Sequence, residues 1–177
     1  AVPGQAADCA ALLRQSFATL PDAPTTVSSA VDVPASADLP ATAGGAQTTN
    51  GGGNDSFVSF IPINGSLGTG FQSTYLGGAG NEITGGIAYD PVRDRILFFG
   101  TTTGSFPTVD TTPTSIYYDG THGGGLDVFI ATFNGALTVK DYATYIGGAL
   151  NDYLGDTGLL RGTGHVTYSA ATDQVYL

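Results

Sequence analysis

The stretch Asp127–Gly148, DVFIATFNGALTVKDYATYIGG, decides the fold. Val128, Ile130 and Thr132 alternate with Phe129, Ala131 and Phe133, the period of a strand with two unlike faces. Asn134-Gly135 follows, a pair that supplies positive φ to a tight hairpin, and Tyr142–Ile146 returns before Gly147-Gly148. The same phrase stands upstream. Asp55–Gly78, DSFVSFIPINGSLGTGFQSTYLGG, sets Asp55, Phe57 and Val58 against Asp127, Phe129 and Ile130. Asn64-Gly65 answers Asn134-Gly135, and Thr74–Gly78 answers Thr144–Gly148. The copies are 72 residues apart at the Asp (55 to 127) and 70 at the Tyr (75 to 145). Internal repetition of this kind predicts stacked, equivalent units.

Between the copies, Gly86–Asp90 reads as a short strand and Pro91–Asp94 as its turn. Arg95–Gly100 is a continuous apolar run, the mark of a buried strand. The echo is His165–Tyr168, a turn over Ser169–Asp173, and Gln174–Leu177. Asp94 and Asp173 hold the same turn position, where an Asx side chain can bond the backbone that follows. The second copy carries a longer connection between Asp152 and Tyr168, and its extra segment Gly155–Gly164 is the loop expected to be specialised.

Upstream of Asp55 the character changes. Cys9, Leu12, Leu13, Phe17 and Leu20 fall at helical spacing over Ala6–Thr19, and Pro21 stops that helix. Thr25–Val33 has the β-branched content of one strand between Pro24 and Pro34. Ala35–Gly53 is Ala, Thr, Gly and Asn, the composition of a flexible linker. Two domains are expected: an arm over 1–54 and a repeat domain over 55–177. The arm's opening, Cys9-Ala10-Ala11-Leu12, Leu20-Pro21 and Val33-Pro34 through Leu39-Pro40, resembles that of secreted tannase and feruloyl-esterase chains. That resemblance spans roughly 35 residues and none of a catalytic body, so it implies a shared packing element.

In the repeat domain, Gly77–Glu82, Gly86–Asp90, Ser105–Thr108 and Gly123–Phe129 occur in an order that resembles the β-propeller repeat known as SBBP. The resemblance covers about residues 55–177, with departures at the insertion after Asp152 and the Thr-rich link Thr101–Tyr118. It implies all-β, four-stranded propeller blades and a secreted or cell-surface location, and no particular catalytic site. Strand counting gives about two blades, an incomplete propeller, completed by further copies or by the rest of a longer chain. The arm is then the natural connector, laying a strand such as Thr25–Val33 on a neighbour's open edge. Rings and filaments both satisfy that geometry.

Composition narrows the partners. Charged residues are 11% of the 177, against about 25% in ordinary globular domains. Fifteen acidic and five basic residues give a formal charge of −10, which argues against nucleic acid and anionic membrane surfaces. No apolar run reaches the length of a membrane span. The chain opens Ala1-Val2-Pro3 without Met, as expected of a mature product or an excised piece. Cys9 is the single cysteine: a free thiol, a packed apolar residue, or half of a bridge to another chain.

Chemistry-bearing constellations are sparse. Two histidines, His122 and His165, with one cysteine do not make a transition-metal centre. Ser66, in Asn64-Gly65-Ser66-Leu67-Gly68, lacks the first Gly of a nucleophile elbow and reads as turn. Asn151, Asp152 and Asp156 offer oxygens to Ca²⁺ without EF-hand spacing, and read as solvated turn carboxylates. The Gly-Gly pairs lack the helix and Lys-Ser/Thr of a phosphate loop and read as close-approach turns. Tyr75, Tyr89, Tyr145 and Tyr168 recur at equivalent positions, which favours packing over sugar stacking. Asn54 and Asn64 are N-glycosylation sequons where the source glycosylates its exports. The expectation is a non-catalytic extracellular structural or assembly protein with no catalytic, cofactor or metal residues and itself as partner. The alternatives are an adhesin-like glycan- or protein-binding module, or a fragment of a larger secreted propeller protein.

Overall fold

The computed structural model describes residues 26–34, 39, 42–62, 71–111, 117–152, 167–169, 171–172 and 174–176. Every regular element among them is a strand. In order these are β1 (Thr26–Pro34), β2 (Asn54–Pro62), β3 (Gln72–Leu76), β4 (Glu82–Asp90) and β5 (Arg95–Thr102). Then come β6 (Val109–Asp110), β7 (Asp127–Asn134), β8 (Lys140–Ile146), β9 (Thr167–Ser169) and β10 (Gln174–Tyr176). The all-β expectation is met. No helix among the described residues is long and apolar enough to cross a membrane. The helix expected over Ala6–Thr19, Cys9, the Asn64-Gly65 turn, Ser66, Asp156, His165 and Asp173 lie outside the described residues.

The strands form three antiparallel sheets, ordered β1-β2-β3, β4-β5-β7-β8-β6 and β9-β10. Register makes the repeat concrete. In the first sheet Asp55 faces Val33, and Phe57 faces Val31 on one side and Tyr75 on the other. In the second, Asp127 faces Thr102, and Phe129 faces Gly100 and Tyr145. So β1-β2-β3 repeats β5-β7-β8 position for position. The hairpin β9-β10 repeats β4-β5 in turn, since Tyr168 faces Val175 as Tyr89 faces Ile96. A bulge between Thr84 and Gly86 lets β4 bend while it lies against β1, β2 and β9.

Two expectations about the N-terminal region change. The strand foreseen at Thr25–Val33 exists as β1, but it pairs along its whole length with β2 of its own chain, so pairing crosses the boundary placed at residue 54. The described part of the expected linker is built into the fold. Gln47 O accepts the Tyr75 amide at 2.9 Å, Gln47 N donates to Thr74 Oγ1 at 2.8 Å, and Leu39 N donates to the Tyr75 hydroxyl at 3.0 Å. Small residues are there for clearance: a methyl on Gly51 would sit 2.8 Å from Gly77 O. The second unit repeats this wrapping. Asp119 O accepts the Tyr145 amide at 3.0 Å, Asp119 N donates to Thr144 Oγ1 at 2.8 Å, and Phe106 N donates to the Tyr145 hydroxyl at 2.5 Å. Each long connection thus folds back to cover the outer edge of its own sheet, β3 in one case and β8 in the other. An uncovered edge would template further pairing.

The core joins both large sheets. Val58 and Leu76 pack with Ile96, Phe98, Phe106, Phe129, Phe133, Leu137 and Tyr145. Phe106 stacks on Phe129 with ring centres 4.1 Å apart. The alternation read in β7 holds from Phe129 onward: Phe129, Ala131 and Phe133 are fully buried and Ile130 and Thr132 half-buried, whereas Val128, on the second face, is buried too.

Both described turns correct the sequence reading. Asn134-Gly135 does not supply the positive φ. That residue is Leu137, at φ 60°, in a longer loop where Asn134 Oδ1 accepts the amides of Thr138 and Val139. The side chain of Leu137 is fully buried, so core packing overrides the preference of its backbone. In the other turn the Asx bonding comes from Asp90, whose Oδ1 accepts the amides of Val92 and Arg93. Asp94 instead takes φ 51° and accepts the Tyr89 hydroxyl at 2.8 Å.

Candidate functional site

The polar chemistry of the described residues gathers at four glycine-to-acid turns of one design. Gly51 N donates to Asp55 Oδ2 at 2.8 Å, Gly78 N to Glu82 Oε2 at 2.9 Å, Gly123 N to Asp127 Oδ2 at 2.6 Å and Gly148 N to Asp152 Oδ2 at 2.7 Å. In each, a carboxylate reaches back to the amide four residues before it, in the sequences GGGND, GAGNE, GGGLD and GALND. A hydrogen bond to a charged acceptor contributes about 1.5–3 kcal/mol where water is excluded, enough to fix a turn. Cross-links repeat too: Asn81 Oδ1 accepts Asn54 N at 3.0 Å, and Asn151 Oδ1 accepts Leu126 N at 2.9 Å. Backbone conformations agree, with φ 149° and 37° at Gly52 and Gly53 against 135° and 65° at Gly124 and Gly125.

The turns meet in pairs across a glycine. A methyl on Gly77 would overlap Asp55 Cγ and Glu82 Oε2, and one on Gly147 would lie 2.9 Å from Asp127 Oδ1 and 3.0 Å from Asp152 Oδ2. Asp55, Glu82 and Asp127 are completely buried. Burial is the main force pushing the Asp55 carboxyl up, against the lowering bonds from Gly51 and Gln47. Burial also raises Glu82, with a further push from the Asp55 charge, against the bonds from Thr102 and Gly78. Four of the five buried side-chain atoms left without a partner among the described residues sit here: Asn50 Nδ2, Asp55 Oδ1, His122 Nε2 and Asp127 Oδ1. Asn50 and His122 occupy equivalent places, 72 residues apart.

His122 lies with Nε2 3.7 Å from Asp127 Oδ2, too far for a hydrogen bond, and its ring meets Tyr145 edge-on at 5.7 Å. No three His, Cys, Asp or Glu side chains converge as a metal-binding group among the described residues. Asn151 and Asp152, read as Ca²⁺-capable oxygens, spend those oxygens on Leu126 N and Gly148 N. Tyr75 and Tyr145 are buried acceptors for loop amides, and Tyr89 is half-buried against Asp94. Asn54 is exposed at the start of β2, while Asp55 and Ser56 of its sequon are buried. The Gly-Gly turns are close approaches, as read: methyls on Gly78 and Gly123 would overlap Ser105 O and Gly148 O. The glycine-to-acid bond itself is what sequence reasoning missed, although four glycine-led pentapeptides ending in an acid were its visible signal.

Lys140 stands apart. Its Nζ donates to Pro107 O at 2.5 Å and lies 5.5 Å from the centre of the Phe106 ring, and burial lowers its pKa to about 8. In comparisons with known proteins, no family profile, no curated protein and no solved structure matches this chain.

Proposed function

We propose that the chain is a non-catalytic structural or assembly protein of the cell exterior, built from units of the β-propeller type. The observation that carries this reading is the duplicated arrangement of buried carboxylates. Groups that would have to face a substrate in an enzyme are turned onto backbone amides of their own loops. The run β4-β5-β7-β8 has the size of one propeller blade, and β1-β2-β3 and β9-β10 carry parts of the same register. Copies of the chain, or further units of a longer one, are the partners. They join at the edge of β1 that no described strand pairs with, where the equivalent strand β5 is flanked by β4. Light scattering over a concentration series should give species heavier than the monomer, with electron microscopy deciding between ring and filament. A strict monomer at every concentration overturns the assembly, and stoichiometric labelling of a serine by an organophosphonate ester overturns the absence of catalysis.

A second reading, a glycan-binding module, is favoured by one surface feature. Tyr117 and Tyr118 are 51% and 47% exposed beside β8, and Tyr118 donates to Thr108 Oγ1 at 3.1 Å with its ring over Gly120. A ring held in place yet half open suits stacking on a sugar. Calorimetric titration with neutral oligosaccharides tests it, and no heat across the series rejects it.

A further inference from the structure

We propose that Asp55 and Glu82 hold one proton between them in the folded protein at neutral pH, bridging the first sheet to the second. The two carboxyls belong to different sheets, one on β2 and one on β4, and both crowd the place where a side chain on Gly77 would begin. A point one methyl out from Gly77 is 2.5 Å from Asp55 Oδ1 and closer still to Glu82 Oε2. Both residues are fully buried, and two charges confined so closely away from water cannot both persist. Most of the polar atoms around them are already committed. Asp55 Oδ2 takes Gly51 N and the Gln47 amide, Glu82 Oε2 takes Gly78 N, and Glu82 Oε1 takes the Thr102 hydroxyl at 2.5 Å. Asp55 Oδ1 alone has no donor. A proton on Glu82 Oε2 turned toward it supplies one and removes the repulsion in the same step.

The second unit supports this by contrast. There Asp152 is half-exposed, so only one of the two carboxyls is shut away from water, whereas in the first unit both Asp55 and Glu82 are fully buried. A metal ion does not fit instead. Calcium takes 6–8 oxygens, whereas the groups aimed at this pair are the N–H donors of Gly51, Gly78 and Gln47. The other titratable groups near the pair are few. Tyr145 on β8 has its hydroxyl pushed up mainly by burial and further by the Asp127, Glu82 and Asp119 charges, and Asp32 stands on β1 opposite Ser56, one register position from Asp55. None of the ion pairs among described residues includes Asp55 or Glu82.

Potentiometric titration of the full chain, folded and then unfolded in urea, counts the proton directly. At pH 7 the folded chain should bind about one proton more than the unfolded chain, because unfolded carboxyls have lost theirs by then. Glu82→Gln should reduce that excess to about zero, while Asp127→Asn should leave it in place. Should Glu82→Gln fail to fold, the infrared spectrum of the unaltered protein decides: the carbonyl band of a neutral carboxylic acid must be present at pH 7. No excess proton, an excess unchanged by Glu82→Gln, an excess abolished by added calcium, or the absence of that band would each overturn the proposal.

Discussion

At Gly77 the structure depends on a single hydrogen atom. Replacing Gly77 with Ala forces a methyl against Asp55 and Glu82, two buried side chains already bonded to Gly51 N and Gly78 N, and should cost about 1–3 kcal/mol of stability in urea unfolding. Gly148→Ala is the matched control, since a methyl there meets nothing within 4 Å, and should change stability by less than about 0.5 kcal/mol. Tyr145→Phe tests a different residue-scale claim. It strips the acceptor from the buried Phe106 amide and should cost about 1–3 kcal/mol, with faster hydrogen exchange at Phe106. Equal stability of the two proteins would show that the hydroxyl has no structural role. These residues were half legible. Glycine pairs announce close approach, but nothing in the string GGGND says which carboxylate turns back onto which amide. The same blind spot explains Leu137: a buried leucine at positive φ is a compromise with the core, and the core is invisible until the sheets are in place.

Strands were the legible part at the level of elements. The apolar run of β5 and the duplicated strand pairs β2-β3 and β7-β8 are local patterns and survive as read, though not the turn chemistry assigned to Asn134-Gly135. The connections were not legible, because Thr101–Tyr118 and Ala35–Gly53 have the composition of linkers while their described residues bond along sheet edges, Gln47 to Tyr75 and Asp119 to Tyr145. Lys140 tests that covering, since its head group is clamped on the connection at Pro107 and Phe106. With its pKa lowered to about 8 against an ordinary 10.5, the folded chain releases the proton before the unfolded chain does. The sign follows: stability should rise as pH climbs from about 8 toward 10.5, the window in which only the unfolded state is protonated. Lys140→Met should flatten that rise in thermal melts taken across the range. A rise of unchanged slope would place the titrating group elsewhere.

For the whole molecule, a formal charge of −10 sets how copies meet. Like-charged subunits repel at low salt, and physiological salt screens charges beyond about 8 Å. Association through β1 should therefore strengthen as salt is raised from low to physiological levels, read as a growing mass in light scattering. Weakening with salt would point to attraction between opposite charges instead. The glycine-to-acid turns carry a further consequence, one of inheritance. Each is closed by one backbone amide and one carboxylate, and the three letters between them already differ: GGN, AGN, GGL and ALN. Glycine itself is compelled by crowding at 51, 78 and 123 but not at 148. A lineage built on such turns can lose nearly all its recognisable spelling and keep its form. Its descendants would be found by rhythm, a glycine and an acid four apart recurring at intervals of 27, 45 and 25 residues (51 to 78 to 123 to 148), where a comparison of letters passes them by.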